Sequence, residues 1–215
     1  MIWDLRQPTL VFAGAFNPAI FSPAWIVKNL YKVPEGIEVE GIFVSDIEQQ
    51  TTRPYFKGVG ILAQSQRLSI FIDDPSEATM TLGDTIADAV AEALPHTPVA
   101  GIGVNFLFAD PDPDADIIDK LAPRDAPEKI GQIAGTEIKT ALDLGEGHIL
   151  RLTRSIQDGT LSLAFNYHTP IANLAEWTAD EWTTIKPRFD AACKVAADLY
   201  NIDIESLIVN SALNQ

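Results

Sequence analysis

The chain has 215 residues, and its 15 Lys and Arg against 30 Asp and Glu give a formal net charge of −15. A charge of this sign repels phosphate backbones and argues against direct nucleic-acid binding. The hydrophobic share of 47% is enough for one continuous core without disulfide or metal support. A single cysteine, Cys193, excludes an intramolecular disulfide and favours a reducing compartment.

The sequence also carries no targeting or membrane signal. The amino-terminal stretch MIWDLRQPTL lacks the basic start and apolar run of a secretory signal. No later apolar stretch approaches the length that spans a bilayer. We therefore expect a cytoplasmic protein without a membrane partner.

The first half of the chain is predicted to form one β-α-β-β-β-α unit. The apolar run from Thr9 to Phe16 predicts a buried strand, and Ser22 followed by Pro23 is a start signal for a short helix. Three more strands and a second helix complete the unit, at residues 37–47, 57–64, 67–72 and 81–94.

The same order of elements then starts again. We predict a strand, a helix, three strands and a closing helix at residues 99–108, 116–121, 135–144, 148–156, 160–168 and 178–200. The turns Gly145-Glu146-Gly147 and Asp158-Gly159 are typical of hairpins between the last three strands. For the closing helix, the capping-box pair Thr178 and Glu181 favours a start at Thr178, whereas Pro187 favours a later start.

The repeated order predicts an internal duplication, with units at 1–96 and 97–215 in one compact domain. Leu68-Ser69-Ile70, which recurs as Leu161-Ser162-Leu163, is a faint echo of it. The expected fold class is α+β: a curved, mainly antiparallel sheet with the helices on one side. This order of elements resembles the TATA-box-binding-protein-like saddle in architecture only, and the resemblance implies two halves that share one curved sheet. The DNA contacts of that family are not carried over, because the net charge opposes them.

Candidate catalytic and metal-binding motifs are weak. The carboxylates of Asp110–Asp119 alternate as in a calcium loop, but Pro111 and Pro113 stiffen the segment, and the required glycine and final glutamate are missing. We interpret this segment as a solvated loop that caps the following helix. We expect no bound metal and no cofactor.

No combination of residues predicts a catalytic centre either. The histidines lack a partner at metal-ligand spacing: His96, His148 and His168. The pattern Gly101-Ile102-Gly103 is not followed by Lys-Ser/Thr, so we interpret it as a bulge or a close backbone approach within a strand. No catalytic residue is therefore assigned, and whether the protein is an enzyme stays open.

The predicted interaction surface is the sheet face turned away from the helices. If Leu161, Leu163, Phe165 and Tyr167 face the helices, the two-residue period of a strand places the residues between them on the opposite face. Such a face would be weakly charged in a strongly acidic chain, which suggests that a partner covers it. The predicted site consists of Ser69, Phe71, Arg151, Thr153, Ala164, Asn166 and His168.

We accordingly predict a non-catalytic protein-binding or assembly module whose partner is another protein or a second copy of the chain. Two alternatives stay open. The first is a hydrolase or small-ligand-binding enzyme with a pocket between the halves, and the second is an acidic mimic of nucleic acid. A ligand in a polar pocket would favour the enzyme, and carboxylates clustered on one face would favour the mimic.

Overall fold

The computed structural model describes residues 2–4, 7–34, 36, 40–46, 51–121, 135–200 and 202–203. These residues form one antiparallel sheet and four α-helices, so the α+β fold class is confirmed. Among the described residues, no helix is long and apolar enough to cross a membrane.

Ten strands of the described residues belong to the sheet. They are β1 (Ile2–Trp3), β2 (Leu10–Gly14), β3 (Ile42–Asp46), β4 (Thr51–Phe56), β5 (Val59–Gln64), β6 (Arg67–Ile72), β7 (Val99–Asp110), β8 (Gly135–Gly145), β9 (His148–Gln157) and β10 (Thr160–Thr169). The helices are α1 (Pro23–Asn29), α2 (Glu77–Ala93), α3 (Ala115–Leu121) and α4 (Ile185–Tyr200). Short 3-10 turns occupy Pro18–Ile20 and Leu174–Glu176.

The order of strands across the sheet is β3-β4-β5-β6-β2-β7-β10-β9-β8, and β1 pairs with β7 beyond the end of β2. In each half, the first strand of the predicted unit lies beside the last: β2 beside β6, and β7 beside β10. The halves meet where β2 pairs with β7, with Leu10 opposite Val104. The sheet is therefore continuous, and one core cluster runs through both halves.

Helices α2 and α4 cover one face of this sheet. Along β10 burial alternates as predicted, because Leu161, Leu163, Phe165 and Tyr167 are buried while the residues between them are partly exposed. The ring of Phe189 on α4 stacks on Trp3 of β1, with centroids 5.2 Å apart, so this contact joins the two halves. Aromatic packing of this kind adds to the area that the rings remove from water.

Several local signals act as predicted. The hydroxyl of Ser22 accepts a hydrogen bond from the Trp25 N–H at 3.3 Å, and Pro23 opens α1. Asp158 and Gly159 have φ angles of 49° and 79°, the left-handed geometry that a tight two-residue hairpin requires. The Asp158-Gly159 turn connects β9 to β10 directly.

The first half differs from the predicted unit in one strand. Residues 51–56 form β4, which the sequence analysis did not predict; Pro54 within it has no N–H to donate to the ladder. Residues 57 and 58 are a tight turn rather than the start of a strand, since Lys57 and Gly58 have φ angles of 50° and 81°. The predicted strand at 37–47 is described as β3 over Ile42–Asp46, and its positions 37–39 and 47 lie outside the described residues.

The predicted helix start at Thr178 is wrong, and the later start is correct. Helix α4 begins at Ile185, which places Pro187 in the first turn, where a missing N–H breaks no helical hydrogen bond. Before it, the Asp180 carboxylate accepts hydrogen bonds from the backbone N–H groups of Trp182 and Thr183 at 2.7 and 3.2 Å. This local turn competes with the capping box and prevents a helix there.

Two carboxylates of α2, in the other half of the chain, accept hydrogen bonds from residues at and before the start of α4. The Asp84 carboxylate on α2 accepts a hydrogen bond from the Ile185 N–H at 2.8 Å, and Asp88 accepts one from the indole N–H of Trp177 at 2.7 Å. Burial is the main reason that the pKa of Asp84 rises from 3.8 to about 7, and the charge of Asp88 adds to the rise, while the bond from Ile185 opposes it. Helix α2 thus caps α4 with a carboxyl group that is costly to ionise.

We expect the pKa of Asp84 to make stability fall as the pH rises from about 4 to about 7. Over this range the folded chain keeps a proton that the unfolded chain releases, so deprotonation favours unfolding. Replacing Asp84→Asn keeps an oxygen for the Ile185 N–H and removes the titration. Urea unfolding at pH 4, 5.5 and 7 should show wild type losing roughly 2 kcal/mol more than the variant, after allowance for partial exposure. Parallel losses in both proteins would contradict this assignment, and Asp198→Asn, at an exposed site on α4, should behave as wild type.

Candidate functional site

A groove with a volume of about 670 Å³ lies on the sheet face opposite α2 and α4. Residues of β2, β6, β7, β8, β9 and β10 line it, together with Gln7 and Pro8 before β2. The groove therefore crosses the β2–β7 contact at which the two halves meet. Its volume is within the range of ligand pockets, which is roughly 300–1,000 Å³.

The groove brings together most of the residues predicted from the two-residue period. Five of the seven predicted site residues line it: Arg151, Thr153, Ala164, Asn166 and His168. Register explains the grouping, because Asn166 pairs with Arg151, and Ala164 pairs with Thr153. Adjacent strands therefore present them side by side on one face.

Ser69 and Phe71 do not line the groove. Their exposed fractions are 1% and 4%. The Arg53 guanidinium of β4 lies 4.4 Å from the centroid of the Phe71 ring, and Tyr55 of the same strand covers Gly60. Side chains of β4 thus shield this part of the open face, and the candidate site lies mainly in the second half.

A row of polar side chains crosses the middle of the groove. Arg151 donates a hydrogen bond to the side-chain oxygen of Asn166 at 3.2 Å. The amide nitrogen of Asn166 donates to the side-chain oxygen of Asn105 at 2.6 Å, and Asn105 donates to the Gly103 carbonyl at 3.4 Å. Each member fixes the orientation of the next, so the row is ordered before any ligand arrives.

Two glycines of β7 make room for parts of β10 at the floor of the groove. A Cβ atom added at Gly101 would lie 2.5 Å from Cε1 of His168 and 3.0 Å from the Thr169 carbonyl oxygen, and one added at Gly103 would lie 3.2 Å from the amide nitrogen of Asn166. The predicted close approach is thus made by side chains of β10 at both glycines, and also by its backbone at Gly101. Any larger residue at Gly101 would displace the His168 ring.

The charged residues among the described lining of the groove are all cations. They are Arg67, Lys139 and Arg151, and this described lining includes no Asp or Glu, although the chain has 30 of them. Among the described residues, Arg67 donates to the side-chain oxygen of Gln64 at 2.6 Å, and Arg151 donates only to Asn166, so neither bonds to a carboxylate. Lys139 forms an exposed ion pair with Glu137 at 2.8 Å, a kind of contact that contributes little stability.

His168 is the one histidine among the described lining residues. Burial, and to a smaller extent the nearby Arg151, lower the pKa of His168 below its usual value. In the same part of the lining the only hydroxyl belongs to Thr153, whose pairing partner Ala164 is about 13 Å along β10 from His168. A hydroxyl nucleophile with a histidine base within hydrogen-bond reach is therefore not formed by these residues.

Sequence reasoning missed several lining residues: Arg67, Gly101, Gly103, Asn105 and Lys139. The two-residue period would have placed Gly101, Gly103 and Asn105 on the open face of β7 once the β7–β10 register was known. That register joins segments roughly 60 residues apart, and the sequence carries no local signal for it.

The acidic segment at 110–119 has local structural roles. The Asp110 side chain accepts a hydrogen bond from the Asp112 N–H at 3.2 Å, and the Asp114 carbonyl accepts from the Ile117 N–H at 3.0 Å at the start of α3. Across the described residues, no three or more His, Cys, Asp or Glu side chains are grouped so that they could hold a metal ion.

No protein-family model, no curated protein and no solved structure matches this chain.

Proposed function

We propose that this protein is a non-catalytic binding module that recognises another protein through the open face of its sheet. The observation that carries the proposal is the central groove, which is lined by cations and amides in a chain with a net charge of −15. A surface that departs this far from the rest of the chain is typical of a recognition site. A second copy of the chain is the other candidate partner, and the cytoplasm is the proposed location.

We also propose that the chain arose by duplication and that its sheet is curved like a saddle. The shared strand order of the two halves supports this, as does the position of the Leu-Ser-Ile and Leu-Ser-Leu echo on β6 and β10, each next to the first strand of its half. Superposing residues 9–94 on 99–200 in an experimental structure tests it. Opposite handedness of the two halves would exclude duplication.

The two alternatives have less support from the groove. An enzyme would use a pocket between the halves, and the groove lies there, but the lining residues that the structure describes offer His168 without a nucleophile or a carboxylate nearby. A nucleic-acid mimic would present carboxylates in rows, whereas the charges of this groove are positive. Binding therefore remains the proposed function.

Filling the groove should abolish partner binding without unfolding the chain. Ala164 lies between Leu107 and Thr153 on neighbouring strands, so Ala164→Phe places a ring in the groove at a strand position that accepts aromatic residues. Capture of proteins from a lysate of the native host, with sedimentation velocity of the purified chain, measures the effect. We expect at least tenfold less captured partner, or a loss of self-association.

The matched control is Ser162→Phe, one step along the same face of β10 and outside the groove lining. It adds the same ring to the same strand and should bind as wild type does. If both variants bind equally well, or if both lose binding equally, the groove is not the binding site.

A further inference from the structure

We propose that the groove binds an extended acidic segment of a partner protein. This inference rests on the proposed binding function and adds the chemistry of the partner. The positions of the lining cations, the distance between them and the polar side chains in between support it, in addition to the cavity itself.

The charge of the groove favours an acidic partner. The chain has a net charge of −15, so three cations with no Asp or Glu among the described lining residues form a local exception, although Glu137 outside the lining pairs with Lys139. Arg67 and Arg151 are exposed and bond to amide oxygens, which leaves their positive charge uncompensated by a bonded carboxylate among the described residues. Carboxylates bound here would form charge-assisted hydrogen bonds, which are about twice as strong as neutral ones.

The distance between the cations favours a peptide over a small anion. Arg67 is on β6 and Lys139 is on β8, and the order β6-β2-β7-β10-β9-β8 separates them by five inter-strand steps. At ~4.8 Å a step, the two cationic ends are about 24 Å apart along the sheet. A single phosphate or carboxylate cannot reach both ends. An extended peptide rises about 3.3 Å per residue, so about seven residues span the distance, and six suffice where the long Arg, Lys and Glu side chains extend toward one another.

Polar groups line the groove between the two ends. The His168 ring and the Asn166 amide lie over Gly101 and Gly103, so a chain that lies flat on the sheet would contact these side chains above β7. The side-chain amides of Gln7, Asn105 and Asn166 offer both donors and acceptors, which match the N–H and C=O groups of a peptide backbone. A peptide therefore finds complementary groups along the whole groove, and a polyphosphate does so only at its cationic ends.

Fluorescence anisotropy with a labelled hexaglutamate peptide tests this proposal. Hexaglutamine is the neutral probe, and about 50 mM salt keeps screening modest. We expect saturable binding of hexaglutamate and none of hexaglutamine. Arg151→Gln and Arg67→Gln should each weaken binding about tenfold, because each removes one charge-assisted contact. Lys194→Gln, which removes the same charge from an exposed position on α4, should change binding less than twofold.

The opposite results overturn the proposal in distinguishable ways. Absence of saturable hexaglutamate binding, equal binding of hexaglutamine, or an equal loss in Lys194→Gln would exclude a specific acidic-peptide site. Displacement of the peptide by inorganic phosphate at constant ionic strength would identify a small-anion site instead. Self-association that is lost in Arg67→Gln and Arg151→Gln would identify a second copy as the occupant. If hexaglutamate fails while Ala164→Phe still abolishes partner capture, this inference is wrong and the proposed function stands.

Discussion

Replacing Phe106→Ala should lower the free energy of unfolding by about 3–5 kcal/mol, as other deletions of buried aromatic rings do. Phe106 is 1% exposed and lies on β7 at the centre of an aromatic cluster. Its ring centroid is 5.4 Å from that of Trp3, 5.7 Å from Phe189 and 6.4 Å from Tyr167. Its loss would leave a cavity shared by β1, α4 and β10, which cannot all move in to fill it. Urea unfolding followed by far-UV circular dichroism measures the change.

The neighbouring residue of the same strand provides the control. Leu107 points to the opposite face and is only partly buried in the groove lining. Leu107→Ala should therefore cost much less, about 1 kcal/mol, since less of its side chain leaves a packed environment. Equal costs at the two positions would show that the aromatic cluster is not the main packing centre of the second half.

Replacing Gly14→Ala should destabilise the fold by roughly 3 kcal/mol, at the upper end of overpacking effects. A Cβ atom at this position would lie 2.4 Å from the Pro98 carbonyl oxygen and 2.7 Å from the Val99 Cα atom. Both obstacles are backbone atoms, so no rotamer change relieves the clash. Gly14 also follows the register shift between β2 and β7, where the chain of the second half begins. Thermal unfolding should show a clearly lower Tm.

Gly103→Ala is the matched control, because it makes the same substitution in the middle of β7. The nearest atom to its added Cβ is the side-chain nitrogen of Asn166 at 3.2 Å, and an amide can move by a few tenths of an ångström. Its Tm should stay close to that of wild type. Similar losses in the two variants would mean that glycine flexibility, rather than the close backbone contact at Pro98, is what the fold requires.

Local patterns of the sequence predict much of the second half. The β8–β9 and β9–β10 hairpins depend on turns whose left-handed φ angles are typical of glycine and Asp-Gly. Each turn is specified by residues that are consecutive in the sequence. The start of α1 at Ser22-Pro23 is equally local. Strand β4 is not predicted, and it contains Pro54, which is unfavourable within a strand. The sequence leaves two starts open for α4, and the later one is capped by Asp84, 101 residues away, which no local pattern indicates.

The contrast between local signals and contacts of distant segments also explains which site residues the sequence predicts. Alternation along β9 and β10 places five residues correctly, since the period of a strand decides which side each one faces. Ser69 and Phe71 are buried and lie outside the groove, and the Arg53 side chain of β4, a strand that was not predicted, covers Phe71. The cations Arg67 and Lys139 join the groove only through the strand order. That order depends on pairings between distant segments, which a single sequence does not specify.

The central position of β2 has a consequence for biosynthesis. This strand is complete at Gly14, yet the segment of β7 that pairs with it covers residues 99–104. At a synthesis rate of about 5–20 residues per second, roughly 5–20 s separate the emergence of the two strands from the ribosome. During that interval the first half can assemble β2 on β6, but the other edge of β2 has no strand beside it. An open edge of this kind invites pairing with neighbouring nascent chains, so the spacing of ribosomes on the message should influence how much of the protein reaches its folded state.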